Sequence, residues 1–111
     1  MKTTQPILIT SVTAAADLTT ATNLFIGFNG SICTNGVKPL GILSASTNIG
    51  EQAPVIAKGI AIVLSGAALS AGSKVQSNAS GKAITYTAGE AAGFALDTAS
   101  GADELIRVLL S

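Results

Sequence analysis

Two Asn-Gly pairs, Asn29-Gly30 and Asn35-Gly36, each stand between short runs of apolar, β-forming residues. Asn-Gly is the strongest short signal for a β-hairpin, because a type I′ turn needs a positive φ angle at both central residues. The first pair is predicted to join a strand over Leu24–Phe28 to a strand over Ser31–Thr34. The second is predicted to join Ser31–Thr34 to a strand over Val37–Leu43. This part of the chain is therefore expected to fold as strands and tight turns.

A Gly-Lys pair within residues 77–82, Ser-Asn-Ala-Ser-Gly-Lys, resembles part of a phosphate-binding loop. Such a loop needs Ser or Thr directly after the lysine to bind magnesium, and Ala83 stands there. The β-branched, alternating residues that follow predict a strand, whereas a phosphate-binding loop leads into a helix. We therefore predict a hairpin whose turn joins strands over Lys74–Ser77 and Lys82–Thr87.

The rest of the chain repeats the pattern of short apolar runs separated by turns. Ile60–Leu64 is apolar at every position, which predicts a strand placed centrally in the core, and Gly59 before it indicates a bulge or close packing. Residues 14–23 and 66–72 each allow one helical turn. Further strands are predicted over Ile7–Val12, Gly93–Asp97 and Glu104–Leu110.

These elements predict an all-β fold, a small single-domain β-barrel or β-sandwich of about eight or nine short strands with at most one or two helical turns. The length of 111 residues suits one domain. Residues 1–12 are expected to form an extended N-terminal arm and the first strand. Residues 13–111 are expected to form the single β-rich domain.

The chain carries unusually little charge. Charged residues make up 11% of the sequence, against about 25% in an ordinary soluble domain, and the net charge is zero. Without a cluster of Lys or Arg the electrostatic footprint of a nucleic-acid-binding protein is missing. No apolar run approaches the roughly 20 residues of a membrane-spanning helix. Because large interfaces are depleted of charge, the composition favours a component of an assembly.

The sequence offers little material for catalysis. It contains no His and a single Cys, so a zinc site has almost no ligands and Cys33 has no histidine to activate it. Cys33 is therefore predicted to be a buried strand residue. The acidic residues fall mostly in predicted turns, and the four aromatic residues are assigned to core packing: Phe25, Phe28, Tyr86 and Phe94. We predict no enzymatic activity, no cofactor and no metal site.

The order of these elements is distinctive over most of the chain, roughly from Ile9 to Leu110. It runs through "DLTTATNLFIGFNG", "PLGILSASTNIGEQAPVIAKGIAIVL", "GAALSAGSKVQSNASGKAITYT" and "AAGFALDTASGADELIRVLL". In this pattern the chain resembles the small capsid decoration (cement) proteins of tailed bacteriophages. A Gly-acid turn typical of them is kept at Gly50-Glu51, is shifted by one place at residues 101–103, and is lost where Ser73 replaces the acid.

The resemblance implies a non-enzymatic virion structural protein. It would be made in the cytoplasm of the bacterial host and would bind the outer surface of the expanded capsid, stabilising it across capsomer boundaries. The implied partners are the major capsid protein and further copies of this chain, as a homotrimer or alternatively a dimer, with no nucleic acid or membrane. The alternative function is an accessory binding domain of a phage tail or fibre.

The N-terminal arm is the candidate contact with the capsid. Its polar start and apolar continuation suit addition of a strand to the sheet edge of a neighbouring protein. The competing interpretation is a disordered tail followed by an ordinary first strand. The candidate residues are Thr3, Thr4, Gln5, Pro6, Ile7 and Ile9. A second, weaker candidate is the Thr-rich stretch with Thr19, Thr20 and Thr22.

Overall fold

The computed structural model describes residues 4–110, which form eight β-strands and no helix. The strands are β1 (Gln5–Thr13), β2 (Phe25–Ile26), β3 (Gly41–Leu43), β4 (Gln52–Leu64), β5 (Lys74–Ser77), β6 (Ala83–Thr85), β7 (Gly93–Ala95) and β8 (Leu105–Leu110). The all-β prediction is confirmed. The two segments that allowed a helical turn form turns and isolated bridges instead, at Leu18 and Leu69. Within residues 4–110 there is accordingly no helix that could cross a membrane.

The strands form one antiparallel sheet that curls into a nearly closed barrel. Its order is β2-β3-β4-β8-β7-β5-β6, and β1 pairs with β4 outside this path. The two ends of the sheet meet where Phe25 N, in β2, donates a hydrogen bond to Gly81 O, just before β6, at 2.8 Å. Gly36 N reaches Ser77 O, in β5, at 3.1 Å. These bonds occupy sheet edges that would otherwise be open.

Strand β4 is the longest, with 13 residues, and it pairs with three other strands. Ile56 lies opposite both Ile9 of β1 and Ile42 of β3. Ile60 lies opposite both Gln5 of β1 and Leu109 of β8. Since a strand has two edges, β1 occupies one edge of β4, and β3 and β8 share the other.

A β-bulge interrupts β4 in its middle, as predicted at Gly59. The register between β1 and β4 shifts on both sides of Leu8, and Gly59 has a φ of +99°. A Cβ at Gly59 would lie 2.5 Å from Gln5 O, so only glycine allows β1 to come this close. The bulge also shifts the alternation of side chains by one residue: Ile56 before it and Ala61 after it belong to the same buried cluster.

Two hydrophobic clusters lie on opposite faces of the sheet. The first fills the barrel and takes residues from every strand from β2 to β8, including Phe25, Ile42, Val63, Val75, Ala83, Ala95 and Ile106. The second lies outside the barrel, where residues 14–24, which we name the covering segment, pack over β2, β3 and the first half of β4. Its buried members are Ala14, Leu18, Ala21, Leu24, Ile26, Leu43, Ala53 and Val55.

The predicted hairpin between residues 74 and 87 is confirmed, with β5 and β6 paired antiparallel around the turn. The predicted type I′ turns are wrong, because neither Asn29 nor Asn35 has a positive φ. At the first, Gly30 alone takes the left-handed conformation and closes a three-residue loop between Gly27 and Ser31. At the second, Gly36 alone does so, in the position that a type II turn requires.

The strand predicted over Ser31–Thr34 shortens to a single bridge, from Ile32 to Ile26. The strand predicted over Val37–Leu43 starts only at Gly41. The intervening chain bonds irregularly to both ends of the barrel: Cys33 N donates to Phe25 O at 2.9 Å, while Gly36 N reaches β5. This segment closes the barrel and therefore cannot keep a regular ladder with one neighbour.

Candidate interaction surfaces: an exposed edge strand and an open sheet face

The first half of β1 is an exposed apolar strand, and we name Gln5–Ile9 the edge segment. All five residues are exposed, among them Ile7 at 84% and Ile9 at 54%. Side chains of a strand alternate between faces, so exposure at successive positions means that neither face of this segment is covered. Ile7 has no partner in the register with β4, because the ladder passes from Pro6 to Leu8 across the bulge.

The outer edge of β1 offers hydrogen-bonding groups to another chain. Within residues 4–110, β1 pairs with β4 alone, so its other edge has no neighbouring strand. The register is regular from Ile9 to Thr13 and irregular before it. Pro6, which lacks an N–H group, is tolerated at such an edge. An unpaired edge with apolar side chains is a template for strand addition by a partner.

A second apolar surface lies on the outside of the barrel, on β4, β8 and β7 beyond the bulge. We name it the open face; its residues are Ile60, Ile62, Phe94, Leu105 and Leu109. Leu109 lies directly opposite both Ile60 and Phe94, so these three side chains form one row across the sheet. Leu109 is 43% exposed and Phe94 42%. The solvent face of an antiparallel sheet usually carries polar residues, and this one carries mostly apolar ones.

The charged pair on the open face is internally neutralised. Arg107 lies opposite Ile62, and its Nε and Nη2 atoms donate to Asp97 Oδ2 and Oδ1, each at 3.0 Å. Asp97 Oδ2 also accepts a hydrogen bond from the Arg107 backbone N at 2.9 Å. The hydrogen bonds and charge of Asp97 raise the pKa of the Arg107 guanidinium. Such a bidentate salt bridge holds both side chains in one geometry and leaves this part of the face without net charge.

The predicted capsid-contact residues fall on two elements. Thr3 lies outside the described residues; Thr4 precedes β1, and the edge segment contains Gln5, Pro6, Ile7 and Ile9. Thr19, Thr20 and Thr22 belong to the covering segment. There Thr19 and Thr20 are exposed, whereas Thr22 is half-buried. Leu18 and Ala21 anchor the covering segment in the second cluster, so Thr19 and Thr20 are on its outward side.

Sequence reasoning missed the open face. It placed Ile60–Leu64 in the core, yet Ile60 and Ile62 are only half-buried. It also assigned all four aromatic residues to packing, whereas Phe28 is 66% exposed and Phe94 is on the open face. The sequence of β8 carries a signal for the open face, because its exposed positions Leu105 and Leu109 are as apolar as the buried positions between them.

Cys33 and Lys82 make contacts within the protein that fit a structural role. Cys33 is buried as predicted, although it lies outside the strands, and its thiol donates to Val37 O at 3.2 Å. Burial raises the pKa of this thiol, which keeps it neutral. Lys82, next to the hairpin turn, pairs with Asp103. Among residues 4–110, no three His, Cys, Asp or Glu side chains come close enough to hold a metal ion.

The chain is similar to a solved structure and to a family of known proteins. The solved structures include a similar fold in the N base of head fiber gp8.5 of bacteriophage phi29, with a TM-score of 0.75 and 15% sequence identity. The alignment covers 94% of this chain and 95% of that chain; at this identity the likeness concerns the fold. A search of curated proteins found no match. The sequence profile described as phage cement protein matches residues 1–110. The chain therefore belongs to the phage cement protein family and is a capsid-associated structural protein of a bacteriophage.

Proposed function

We propose that this protein binds the outer surface of the expanded phage capsid and stabilises it across capsomer boundaries, without enzymatic activity. The observation that carries the proposal is the edge segment, an apolar strand exposed on both faces with a free outer edge. A protein that binds the expanded shell more tightly than the unexpanded one stabilises the expanded state by that difference in affinity. Because a shell repeats its sites many times, modest contacts in each copy are sufficient.

The contact with the major capsid protein is assigned to the N-terminal arm within residues 1–12, and residues 13–111 form the body that carries it. The arm's contact residues are Thr3, Thr4, Gln5, Pro6, Ile7 and Ile9. Ile7 is the anchor, because its side chain is the most exposed large apolar group among the described residues. The regular edge from Ile9 onward supplies the backbone hydrogen bonds of strand addition. Thr19, Thr20 and Thr22 provide a secondary polar contact.

Self-association is assigned to the open face, and a homotrimer is the proposed state, with a dimer as the alternative. Buried centres of subunit interfaces are apolar and poor in charge, as this face is. We expect Leu109→Ser combined with Phe94→Ser to convert the assembly to monomers in sedimentation velocity. The matched variant Val37→Ser with Phe28→Ser, also exposed apolar residues but off this face, should leave the assembly intact. A wild-type protein that is monomeric at all concentrations would contradict this assignment.

Co-sedimentation with phage heads tests the function. Purified protein is mixed with expanded, undecorated heads and with unexpanded proheads of the phage that encodes it, and bound protein is quantified. We expect saturable binding to expanded heads alone. Ile7→Ser should weaken it by roughly 30-fold, the effect of a residue that contributes about 2 kcal/mol to an interface.

The matched control is Ile49→Ser, which changes another exposed isoleucine outside β1. It should bind like the wild type. Equal losses in both variants would contradict the role of the edge segment, and absence of wild-type binding to either shell would contradict the function itself.

An accessory domain of a tail or fibre is the second candidate, favoured by the fold shared with a head fiber base. The same sedimentation assay with purified tails distinguishes the two. Saturable binding to tails and none to heads would replace the first proposal with the second.

A further inference from the structure

A cleft opens beside the bulge of β4, between β3 and β8. On the edge that these two strands share, the ladder with β3 ends at Ile56 and the ladder with β8 begins at Gly59. Ala57 and Lys58 therefore have no cross-strand neighbour on that edge. The gap is a cavity of about 180 Å³, which we name the bulge cleft.

The wall of the bulge cleft is apolar and its charged groups are all cationic. Phe28, Pro39, Leu40, Gly41, Ala57, Ala92 and Leu110 line it together with Lys38 and Lys58, and no carboxylate side chain is among them. Lys58 is exposed, and Lys38, half-buried, has an interaction of its own within the protein. The other described cations lie elsewhere: Lys82 and Arg107 pair with acids, and Lys74 lies over the Tyr86 ring.

The size of the cleft limits what it can hold. An apolar cavity of about 150 Å³ accommodates a benzene molecule, whereas sites for drug-sized ligands measure roughly 300–1,000 Å³. The bulge cleft therefore fits one aromatic or branched aliphatic side chain. The exposed Lys58 favours negative charge beside that side chain and disfavours positive charge.

We infer that the bulge cleft binds one large apolar side chain of a partner protein, within a segment where Asp or Glu residues flank it. The inference rests on the proposed function only for the identity of the partner, an acidic segment of the capsid protein. The binding chemistry depends on the cleft alone. The cleft and the edge segment lie on opposite edges of β4, so one partner could contact β4 from both edges.

Peptide titration monitored by ¹H–¹⁵N NMR tests this inference on the full chain. The probe is acetyl-Asp-Asp-Phe-Asp-Asp-amide, and the comparison peptides replace Phe by Ala or every Asp by Asn. We expect the probe to cause saturable shifts at the amides of Ala57, Lys58 and Leu110. The peptide with Asn in place of Asp should bind at least about tenfold more weakly, and the peptide with Ala in place of Phe should not bind. No saturable shift at concentrations on the order of 10 mM would overturn the inference, as would equal binding of all three peptides.

Matched variants locate the binding site. Ala57→Leu fills the cleft and should abolish the shifts, whereas Ala67→Leu, at an exposed position outside it, should leave them unchanged. Lys58→Gln should weaken binding several-fold, and Lys74→Gln, with the same change in net charge, should not. Because Lys58 is exposed, its variant tests the cleft even where Ala57→Leu disturbs folding. Equal effects within either pair would overturn the assignment to the cleft.

Two further measurements separate the possible outcomes. Sodium octanoate, an anionic amphiphile that is not a peptide, should displace the probe only at a higher concentration than the free peptide needs; displacement at a lower concentration would overturn the protein partner. Lys58→Gln should weaken head binding in the sedimentation assay, while Lys74→Gln should not. Peptide binding by a protein that binds no heads would leave the cleft established and refute only the proposed function.

Discussion

The two halves of β4 carry similar apolar side chains on the outside of the barrel and have different fates. Before the bulge, Ala53 and Val55 are fully buried beneath the covering segment. Beyond it, Ile60 and Ile62 continue the same face and are only half-buried, since no segment among residues 4–110 crosses them. Leu64, at the end of the strand, packs against the second cluster again. One half of the face is closed by the chain itself, and the other is left apolar and open.

The open half of this face is poor in charged residues. An antiparallel sheet with one face in water usually alternates apolar and polar residues. Here the only charged residue of β7 and β8 is Arg107, and Asp97, which follows β7, neutralises it. The composition of a covered surface thus extends over a part of the molecule that its own chain does not cover.

The largest effect is expected from shortening a leucine on the covered half. Leu18 is fully buried in the second cluster, so Leu18→Ala should lower the free energy of unfolding by about 2–5 kcal/mol. Leu109→Ala makes the same chemical change on the open face, where the side chain is partly exposed. Under monomeric conditions it should cost less than about 1 kcal/mol. Urea denaturation of both variants measures the difference.

Equal losses of stability in the two leucine variants would contradict the comparison. They would mean that the open face is as well packed in the isolated chain as the covered half. A larger loss for Leu109→Ala that appears only at high protein concentration would instead support burial of the open face between copies.

A smaller effect is expected at the border between the two halves. Gly59→Ala introduces a Cβ 2.5 Å from Gln5 O at a φ of +99°, so β1 has to move away from β4. We expect a loss of about 1–3 kcal/mol and faster hydrogen exchange at the amides of β1. Gly72→Ala is the control, because its φ of +87° carries the same backbone strain and no atom lies within 4 Å of the new Cβ.

If Gly59→Ala and Gly72→Ala lose the same stability and β1 keeps its protection, the close approach of β1 contributes nothing beyond backbone strain. The interpretation that Gly59 sets the border between the two halves would then be wrong.

Local signals in the sequence were sufficient for much of this fold. The β5–β6 hairpin follows from turn residues between β-branched runs, and the bulge follows from a glycine inside an apolar strand. The type I′ prediction is wrong because only the glycine of each Asn-Gly pair takes a positive φ, whereas a type I′ turn needs one at the asparagine as well. The Asn29 side chain instead accepts a hydrogen bond from the Ser31 N–H.

The open face could not be told from the core by pattern alone. A strand that is apolar on both faces is expected in the centre of a core and equally at an interface, since both surfaces end up away from water. The covering segment was equally hidden. Its buried residues, such as Leu18 and Ala21, are held by a bridge to Thr47 and by turns that carry no regular period. Only the three-dimensional arrangement shows which half of β4 this segment reaches.

The smallest effect concerns the acid that holds the turn of the covering segment. Asp17 Oδ1 accepts a hydrogen bond from Thr19 N at 3.0 Å, and this bond lowers the pKa of the exposed Asp17 carboxyl. Because the folded-state pKa lies below the unfolded one, the stabilisation is fully present above the usual aspartate value of about 3.9 and is lost as the pH falls through the lowered value.

The rate of hydrogen exchange at the Thr19 and Ala21 amides should therefore increase relative to that of β8 on acidification, after correction for intrinsic exchange rates. In Asp17→Asn this extra gain should disappear, since the amide does not titrate. An identical acid response in both proteins would show that Asp17 does not hold the covering segment over its half of β4.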